Sequence, residues 1–332
     1  MKVHHVVLTG GVGSRLWPLS RVSCPKQYLN LFSNFSLFEL AVKRNRSLSD
    51  SLIVVGNRGN QHLSADSLKK LHIENYTNIV EATPRNTAPA IAFAAFATLP
   101  DDILLITPAD HIIAEGEAYS KAVNKAIALA MEGNIVTFGV CPTRPETGYG
   151  YIETDGEEVI SFREKPDQKT AQAFLEQGNF LWNSGMFCFQ AKVFLEELEK
   201  YAPEVYEKSH AVWFQNRNGQ LDFEASKAIP SISIDYAVME HSSKIKAVPA
   251  SFDWSDMGSF EAVYDYLKEQ GHKVDEMGNM VIGSDKFTSF VGLKDSILVI
   301  TDDAHLVLAK EESQQVKKVY DILESMNSPL LN

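Results

Sequence analysis

Gly10-Gly11-Val12-Gly13-Ser14-Arg15-Leu16-Trp17-Pro18-Leu19-Ser20-Arg21 follows directly on the apolar run from Val3 to Leu8. A strand that runs into a glycine turn and then a basic residue suits phosphate binding, because glycine lets the backbone approach closely and aim its amide N–H groups at anionic oxygens. Arg15, Arg21 and Lys26 are the cations at hand to neutralise what backbone dipoles leave over. Pro18 and Pro25 make the segment an ordered loop rather than a long helix. The stretch lacks both the Gly-Lys-Ser/Thr ending of a P-loop and the second spacing of a dinucleotide fingerprint.

Acidic side chains recur at strand ends. In Pro108-Ala109-Asp110-His111 the carboxylate either caps a following helix or holds a divalent cation. Phe252-Asp253-Trp254-Ser255-Asp256-Met257-Gly258-Ser259 is a second acidic turn, in an aromatic setting. Two carboxylates from separate elements are the usual minimum for Mg²⁺, which keeps waters and takes its other ligands from substrate phosphates. Asp110 and Asp256 are therefore coupled as a metal pair, with Asp253 left as a cap or surface acid. His111, beside Asp110, is either near the site or a satisfied structural histidine.

Three further clusters suit hydroxyl and base recognition. The turn Cys141-Pro142-Thr143-Arg144-Pro145-Glu146-Thr147-Gly148-Tyr149-Gly150-Tyr151 is either a decorated hairpin or a ligand loop, in which Glu146 accepts from vicinal hydroxyls. Phe162-Arg163-Glu164-Lys165-Pro166 sets an acid beside a base at a strand end. Trp182-Asn183-Ser184-Gly185-Met186-Phe187 places an amide among aromatics, where a sugar hydroxyl or a structural bond must satisfy it. In Arg85-Asn86-Thr87-Ala88-Pro89, Thr87 reads as a helix N-cap, leaving Asn86 to read a nucleobase edge. Ile234 to Glu240 reads as a helix start capped by Asp235.

These groups need a scaffold. Apolar runs at Val3–Leu8, Leu52–Val55, Ile103–Ile106 and Ile135–Val140 alternate with alanine-rich helical stretches at Thr87–Leu99 and Ala118–Met131. This predicts a mixed, mostly parallel, Rossmann-like α/β sheet covered on both faces, with ligands at the C-terminal strand ends. Short strands at Tyr149–Glu153, Val159–Glu164, Met186–Phe189 and Lys246–Ser251, with a helix at Val193–Tyr201, form a second lobe. After a helix at Phe260–Glu269, runs at Met280–Ile282, Ser289–Val291, Ile297–Ile300 and Leu306–Leu308 suggest a small sheet or β-helix, closed by a helix from Glu312 to Met326. The division expected is a catalytic domain over 1–265 and a β region over 266–332.

At 332 residues with 45% apolar content, the chain suits one large domain and an appendage. A net charge of −12 argues against nucleic acid. The three scattered cysteines and the absence of a leader-like start fit a cytoplasmic protein, and the apolar stretch Ala88–Leu99 is too short to span a bilayer.

Taken in this order, Gly10–Arg21, Pro25-Lys26-Gln27, Arg85–Ile91, Pro108–His111, Pro142–Ile152, Glu164-Lys165-Pro166, Trp182–Phe187, Ile234–Glu240 and Trp254–Ser259 resemble the sugar-phosphate nucleotidyltransferases. Trp17-Pro18-Leu19-Ser20 with Arg85-Asn86-Thr87-Ala88-Pro89 points to their mannose-1-phosphate guanylyltransferase branch, in a short form without an isomerase domain. The resemblance implies the nucleotide-diphospho-sugar transferase fold, Mg²⁺ as cofactor, and GTP plus mannose 1-phosphate giving GDP-mannose and pyrophosphate. It implies Arg15, Lys26, Asp110, Lys165 and Asp256 as catalytic residues. Nucleotide contacts fall on Leu8, Gly10, Gly11, Gly13, Ser14, Arg15, Lys26, Arg85, Asn86, Thr87, Pro108 and Asp110. Sugar-phosphate contacts fall on His111, Glu146, Thr147, Gly148, Tyr149, Glu164, Lys165, Asn183 and Asp256. It also implies a homodimer through the C-terminal β region, with no membrane and no nucleic acid among the partners. A guanylyltransferase for another sugar 1-phosphate, such as a manno-heptose, is the near alternative. A metal-dependent glycosyltransferase or a nucleotide-sugar sensor is the distant one, although no Asp-x-Asp turn stands at a strand end and Lys26 and Asp110 are both present.

Overall fold

The computed structural model of the chain describes residues 1–30, 34–114, 116–215 and 221–332. They form two compact units that do not follow a single cut in the sequence. The first comprises Met1–Gly10, Ala41–Ala109 and Ile113–Trp254; the second comprises Gly11–Leu40, Asp110–Ile112 and Ser255–Asn332.

The first unit is built on nine strands: β1 (Val3–Leu8), β2 (Ser51–Asn57), β3 (Thr77–Glu81), β4 (Ile103–Pro108), β5 (Ile135–Val140), β6 (Tyr151–Asp155), β7 (Glu158–Arg163), β8 (Phe180–Gln190) and β9 (Ile245–Ala250). Their order is β3-β2-β1-β4-β8-β5-β9-β7-β6. The first four run parallel, whereas β8 is antiparallel to both β4 and β5, so the sheet is mixed. Alternate residues of β4 enter opposite cores: Leu104 and Ile106 pack with helix α1 (Thr87–Phe96), and Ile103 and Leu105 with helix α2 (Glu117–Met131). Both faces are covered, which is why these strands are apolar throughout. The alanines of α1 keep the helix close to the sheet, and all but its ends are buried.

The order 3-2-1-4 reverses between β1 and β4. At such a switch point the connections leave in opposite directions and a crevice opens beyond the strand ends. The register pairs Leu8 with Pro108, and the Ala109 amide donates to the Leu8 carbonyl at 3.0 Å. The glycine loop and the Asp110 segment thus leave neighbouring strands at the same edge.

The second unit carries helix α3 (Phe260–Glu269), the strands β10 (Met280–Ile282), β11 (Ser296–Ile300) and β12 (His305–Ala309), and a 3₁₀ turn at Lys310–Gln315 leading into helix α4 (Val316–Ser325). The expected strand at Ser289–Val291 is absent. β10 pairs in parallel with β11, so the chain between them is spent on the return crossover, and Val291 is left 89% exposed. The terminal helix begins later than expected, behind the 3₁₀ turn.

The glycine-loop segment belongs to this unit's core. Leu16 and Trp17 pack with Met257, Phe260, Ile297 and Tyr320. The Trp17 indole donates to the Leu330 carbonyl at 3.0 Å, and Val22 N–H donates to the Leu331 carbonyl at 2.8 Å. Arg21 is an anchor rather than a phosphate ligand: it donates to the Asp303 carboxylate at 2.6 Å and lies over the Trp17 ring.

Candidate active site

The loop after β1 has its acceptors taken and its donors left over. The Gly11 carbonyl accepts from the Gln27 amide, the Val12 carbonyl from Lys26 N–H, and the Gly13 carbonyl from Leu16 N–H and the Ser20 hydroxyl. The N–H groups of Gly11, Val12, Gly13 and Ser14 donate to nothing among the described residues. Gly11 and Gly13 hold φ of +85° and +79°, and a Cβ on Gly13 would stand 2.6 Å from the Lys26 Cβ. Glycine is therefore required at position 13 for both conformation and space.

Lys26 opens a short 3₁₀ turn behind Pro25 and is buried. Its ammonium donates to Asp110 Oδ2 at 2.8 Å and to the Asp256 carbonyl at 2.7 Å, so one cation ties together the two predicted metal acids. Burial alone would raise the Asp110 pKa, but Lys26 and then His111, whose Nε2 is 3.7 Å away, hold it below its ordinary value. No helix starts behind Asp110, so it is not a cap; the next strand-like pair is Ile112–Ile113, and the following helix has Gly116 at its N-cap. The Asp256 carboxylate accepts from Gly258 N–H at 3.0 Å, and a Cβ on Gly258 would come within 2.3 Å of it. Arg15 lies at intermediate exposure in the Ser14–Leu16 turn.

Among the described residues no three His, Cys, Asp or Glu side chains are gathered as a metal cage. The donor chemistry of Asp110 and Asp256 instead fits a cation that takes two protein oxygens and fills its shell from water and phosphate, as Mg²⁺ does.

A second constellation lies within the first unit. The Lys165 ammonium donates to Glu164 Oε1 at 2.6 Å. Asn183 Nδ2 donates to Asp235 Oδ1 at 2.9 Å, while Asn183 Oδ1 accepts from the Thr137 hydroxyl and from Gly185 N–H, each at 3.1 Å. Asp235 is thus no helix cap. It opens a π-helical turn over Asp235–Met239, and its carboxylate reaches sideways to Asn183. Burial first, and the Glu164 charge second, push its pKa up to about 6, with Lys165 pulling the other way. A Cβ on Gly150 would stand 2.5 Å from Glu164 Oε2 and 3.5 Å from the Asn183 Cβ, so both residues close on this position and a side chain there would collide with the carboxylate.

The loop over 142–150 is tied to itself. The Glu146 carboxylate accepts from Arg144 at 3.1 Å and from Gly148 N–H at 3.0 Å, and Glu146 N–H donates to the Tyr151 hydroxyl. Thr147 is exposed, and Tyr149 stands edge-on to Trp182 and Trp254. In the Arg85 loop it is Asn86, not Thr87, that caps α1, accepting from Thr87 N–H at 2.8 Å. Thr87 Oγ1 accepts from Ile234 N–H, and the Arg85 guanidinium donates to the Ile229 carbonyl. Glu81, at the end of β3, is a buried acid that no motif in the sequence marks. Burial pushes its pKa up to about 7, Arg85 N–H donates to it, and Oε1 is buried without a hydrogen-bond partner among the described residues. The strand that carries it has only Ile79 and Val80 as an apolar core, too little to mark it beforehand.

Comparison with known proteins shows the family. Residues 4–272 match the nucleotidyl transferase family, and residues 272–323 match the MannoseP isomerase/GMP-like beta-helix domain. The chain belongs to the nucleotidyl transferase family, in its mannose-1-phosphate guanylyltransferase branch. A mannose-1-phosphate guanylyltransferase of Salmonella muenchen is 39% identical, over 98% of this chain and 74% of the relative. The enzyme of that name from Escherichia coli K12 is 38% identical over the same shares, 98% and 74%. Among solved structures, a mannose-1-phosphate geranyltransferase from Thermus thermophilus superposes with a TM-score of 0.83 at 28% identity, covering 98% of this chain and all (100%) of that one. A mannose-6-phosphate isomerase from Helicobacter pylori gives 0.70 at 38% identity, covering 77% and 100%. Members of the nucleotidyl transferase family generally work with a divalent metal. No helix among the described residues is long and apolar enough to cross a membrane.

Proposed function

We propose that the chain transfers GMP from GTP to α-D-mannose 1-phosphate. A phosphate oxygen of the sugar phosphate attacks the α-phosphorus in line, a P–O bond forms there, the bond to the β-phosphate oxygen breaks, and pyrophosphate leaves. The nucleophile is already anionic, so no general base is needed; the protein must screen two anions and align them. The observation that carries this reading is the glycine loop with its carbonyls engaged and its N–H groups unengaged, beside the buried Lys26 ammonium.

In this reading the loop from Gly10 to Ser14, with Leu8 and Pro108 at the strand ends, meets the nucleotide phosphates along with Arg15 and Lys26. Arg85, Asn86 and Thr87 frame the base, with the Asn86 amide nitrogen still a donor because only its oxygen serves the helix cap. Glu164, Asn183, Glu146, Thr147, Tyr149 and the Gly148 backbone serve the sugar, and Lys165 its phosphate. Asp110 and Asp256 would hold Mg²⁺, with His111 behind them; the ion supplies positive charge at the phosphate oxygens. Catalysis is assigned to residues 1–265, with 266–332 as an appended β region. Three free cysteines suit a cytoplasmic setting, and exposed Val291, Val307 and Ile322 leave apolar area for a homodimer there.

Pyrophosphate release measured with GTP, ATP, UTP and dTTP against mannose, glucose and manno-heptose 1-phosphates tests the assignment. The expected result is turnover with GTP and mannose 1-phosphate and a strong dependence on added Mg²⁺. Preference for another sugar phosphate would transfer the reading to that substrate. Transfer of a sugar from a nucleotide sugar, without pyrophosphate release, would overturn it.

A further inference from the structure

Asn183 can make four hydrogen bonds: two from Nδ2 and two to Oδ1. Three are engaged within the protein. Gly185 N–H can only donate, so Oδ1 must face it; the Asp235 carboxylate, when ionised, can only accept, so Nδ2 must face it. The Thr137 hydroxyl completes Oδ1. One Nδ2 hydrogen is left, and Glu164 lies near the same residue: where a Cβ on Gly150 would stand, Glu164 Oε2 is 2.5 Å away and the Asn183 Cβ 3.5 Å. Asn183 and Glu164 together therefore offer one donor and one carboxylate acceptor, which suits a single hydroxyl that accepts from Asn183 and donates to Glu164.

We infer that Asp235 is a positioning residue of the sugar-binding half: by holding Asn183 Nδ2, it fixes the direction in which the amide meets the sugar hydroxyl. This rests on the reading that Asn183 and Glu164 meet the sugar. A cap would have left the Asp235 carboxylate on its own helical turn, whereas here it crosses to β8. The charged groups facing it are Glu164 and Lys165, both from the end of β7; the Ser233 hydroxyl on its own segment and the Asn183 amide complete its surroundings. When Asp235 takes up a proton, its bond to Nδ2 loses the charge that strengthens it, and one of its two acceptor oxygens becomes a donor. Sugar-phosphate affinity then falls with pH through about 6, the range to which burial and Glu164 have moved this carboxyl.

The test is steady-state kinetics of the full chain with GTP and mannose 1-phosphate from pH 5 to 8, on wild type, Asp235→Ala and Asp235→Asn. Losing a charge-assisted bond that orients the amide should raise the KM for mannose 1-phosphate in Asp235→Ala about ten- to a hundredfold, leaving the KM for GTP within about twofold. Asparagine keeps a neutral acceptor oxygen at that position, as protonated aspartate does, so the KM of Asp235→Asn at pH 8 should lie between those of wild type and Asp235→Ala and show no acid limb, whereas the wild-type KM rises as pH falls. An unchanged sugar-phosphate KM in Asp235→Ala, or the same acid limb in Asp235→Asn, overturns the positioning role. Should the alanine variant fail to fold, the pH profile of Asp235→Asn decides alone. Wild-type protein that accepts no mannose 1-phosphate would defeat the underlying functional reading instead.

Discussion

Lys26 and Lys165 carry the same ammonium group, and each lies against a carboxylate, yet the two regions hold charge in opposite ways. The Lys26 side chain is 7% exposed and stands between Asp110 and the Asp256 carbonyl. Burial works against the charged form of Asp110, but the Lys26 charge, then His111 and the hydrogen bonds to the carboxylate, together hold it below its ordinary pKa. The Lys165 side chain is 58% exposed and reaches Glu164, while Asp235 is left with Glu164 as a like-charged neighbour. One region is balanced, cation for anion; in the other, short of positive charge, burial first and the Glu164 charge second raise the Asp235 carboxyl to about 6. On the proposed reading, the balanced region exchanges these partners for polyphosphate and a metal ion, since each charge already has a counter-charge. The unbalanced one suits neutral hydroxyls, which a carboxylate can bind without a metal. Both hold a non-glycine residue in the left-handed region, Met257 at φ +47° beside Asp256 and Lys165 at φ +45° beside Glu164. Such positions cost about 1–3 kcal/mol and persist only where the surroundings over-determine them.

The largest effect should come from the balanced region. Asp110→Asn keeps an oxygen for the Lys26 ammonium, so the protein should stay folded while kcat falls about a hundred- to a thousandfold, the range for losing one group that stabilises transition-state charge. Near-normal turnover with Mg²⁺ would remove Asp110 from the metal site. Lys26→Met asks whether the balance is real. With Lys26 present, Asp110 adds stability above its ordinary pKa of 3.8, and that stability is lost as pH falls through its lowered folded value. Without Lys26, burial dominates and the acid prefers its proton. The variant should be less stable than wild type by about 1–3 kcal/mol at pH 7, with a deficit that shrinks toward pH 4. A deficit in urea unfolding that stays constant across that range would mean Lys26 supports the fold by packing, not by charge.

Much of this was legible beforehand where it depended on local sequence. The strands Val3–Leu8 and Ile135–Val140 and the helix Phe260–Glu269 fall where periodicity puts them, and the glycine loop announces itself through Gly11 and Gly13. The misses have a common cause in tertiary pairing. A strand at Ser289–Val291 would have matched its composition, but parallel pairing of Met280–Ile282 with Ser296–Ile300 makes that stretch a crossover. Thr87 is as good a cap as Asn86 in sequence; what removes it is Ile234, 147 positions away, whose N–H takes its hydroxyl. Asp235 looked like a cap because Asn183, its partner, lies 52 residues earlier on another strand. Arg21 read as a phosphate ligand until Asp303 claimed it.

A smaller effect should come from the unbalanced region through space rather than charge. Gly150→Ala would put a Cβ 2.5 Å from Glu164 Oε2. The carboxylate must swing away, and the KM for mannose 1-phosphate should rise about tenfold, the cost of one lost hydrogen bond to a charged group, with kcat for GTP consumption at saturation much less affected. A rise in the KM for GTP instead would place Gly150 and Glu164 with the nucleotide and reverse the comparison.

Arg144→Ala should do least. Its pair with Glu146 is 46% exposed on the arginine side, and surface pairs of this kind contribute about 0–1 kcal/mol. Glu146 also keeps its bond from Gly148 N–H, so the loop retains an internal tie without Arg144. Loss of the guanidinium should therefore change the KM for mannose 1-phosphate by less than about threefold, and the change should vanish in high salt, where exposed pairs are screened. A larger, salt-resistant rise would mean that Arg144 leaves Glu146 to meet the sugar phosphate during turnover. The sugar half would then gain a second exposed cation when it binds its anion, and its shortage of positive charge would be a property of the ligand-free state alone.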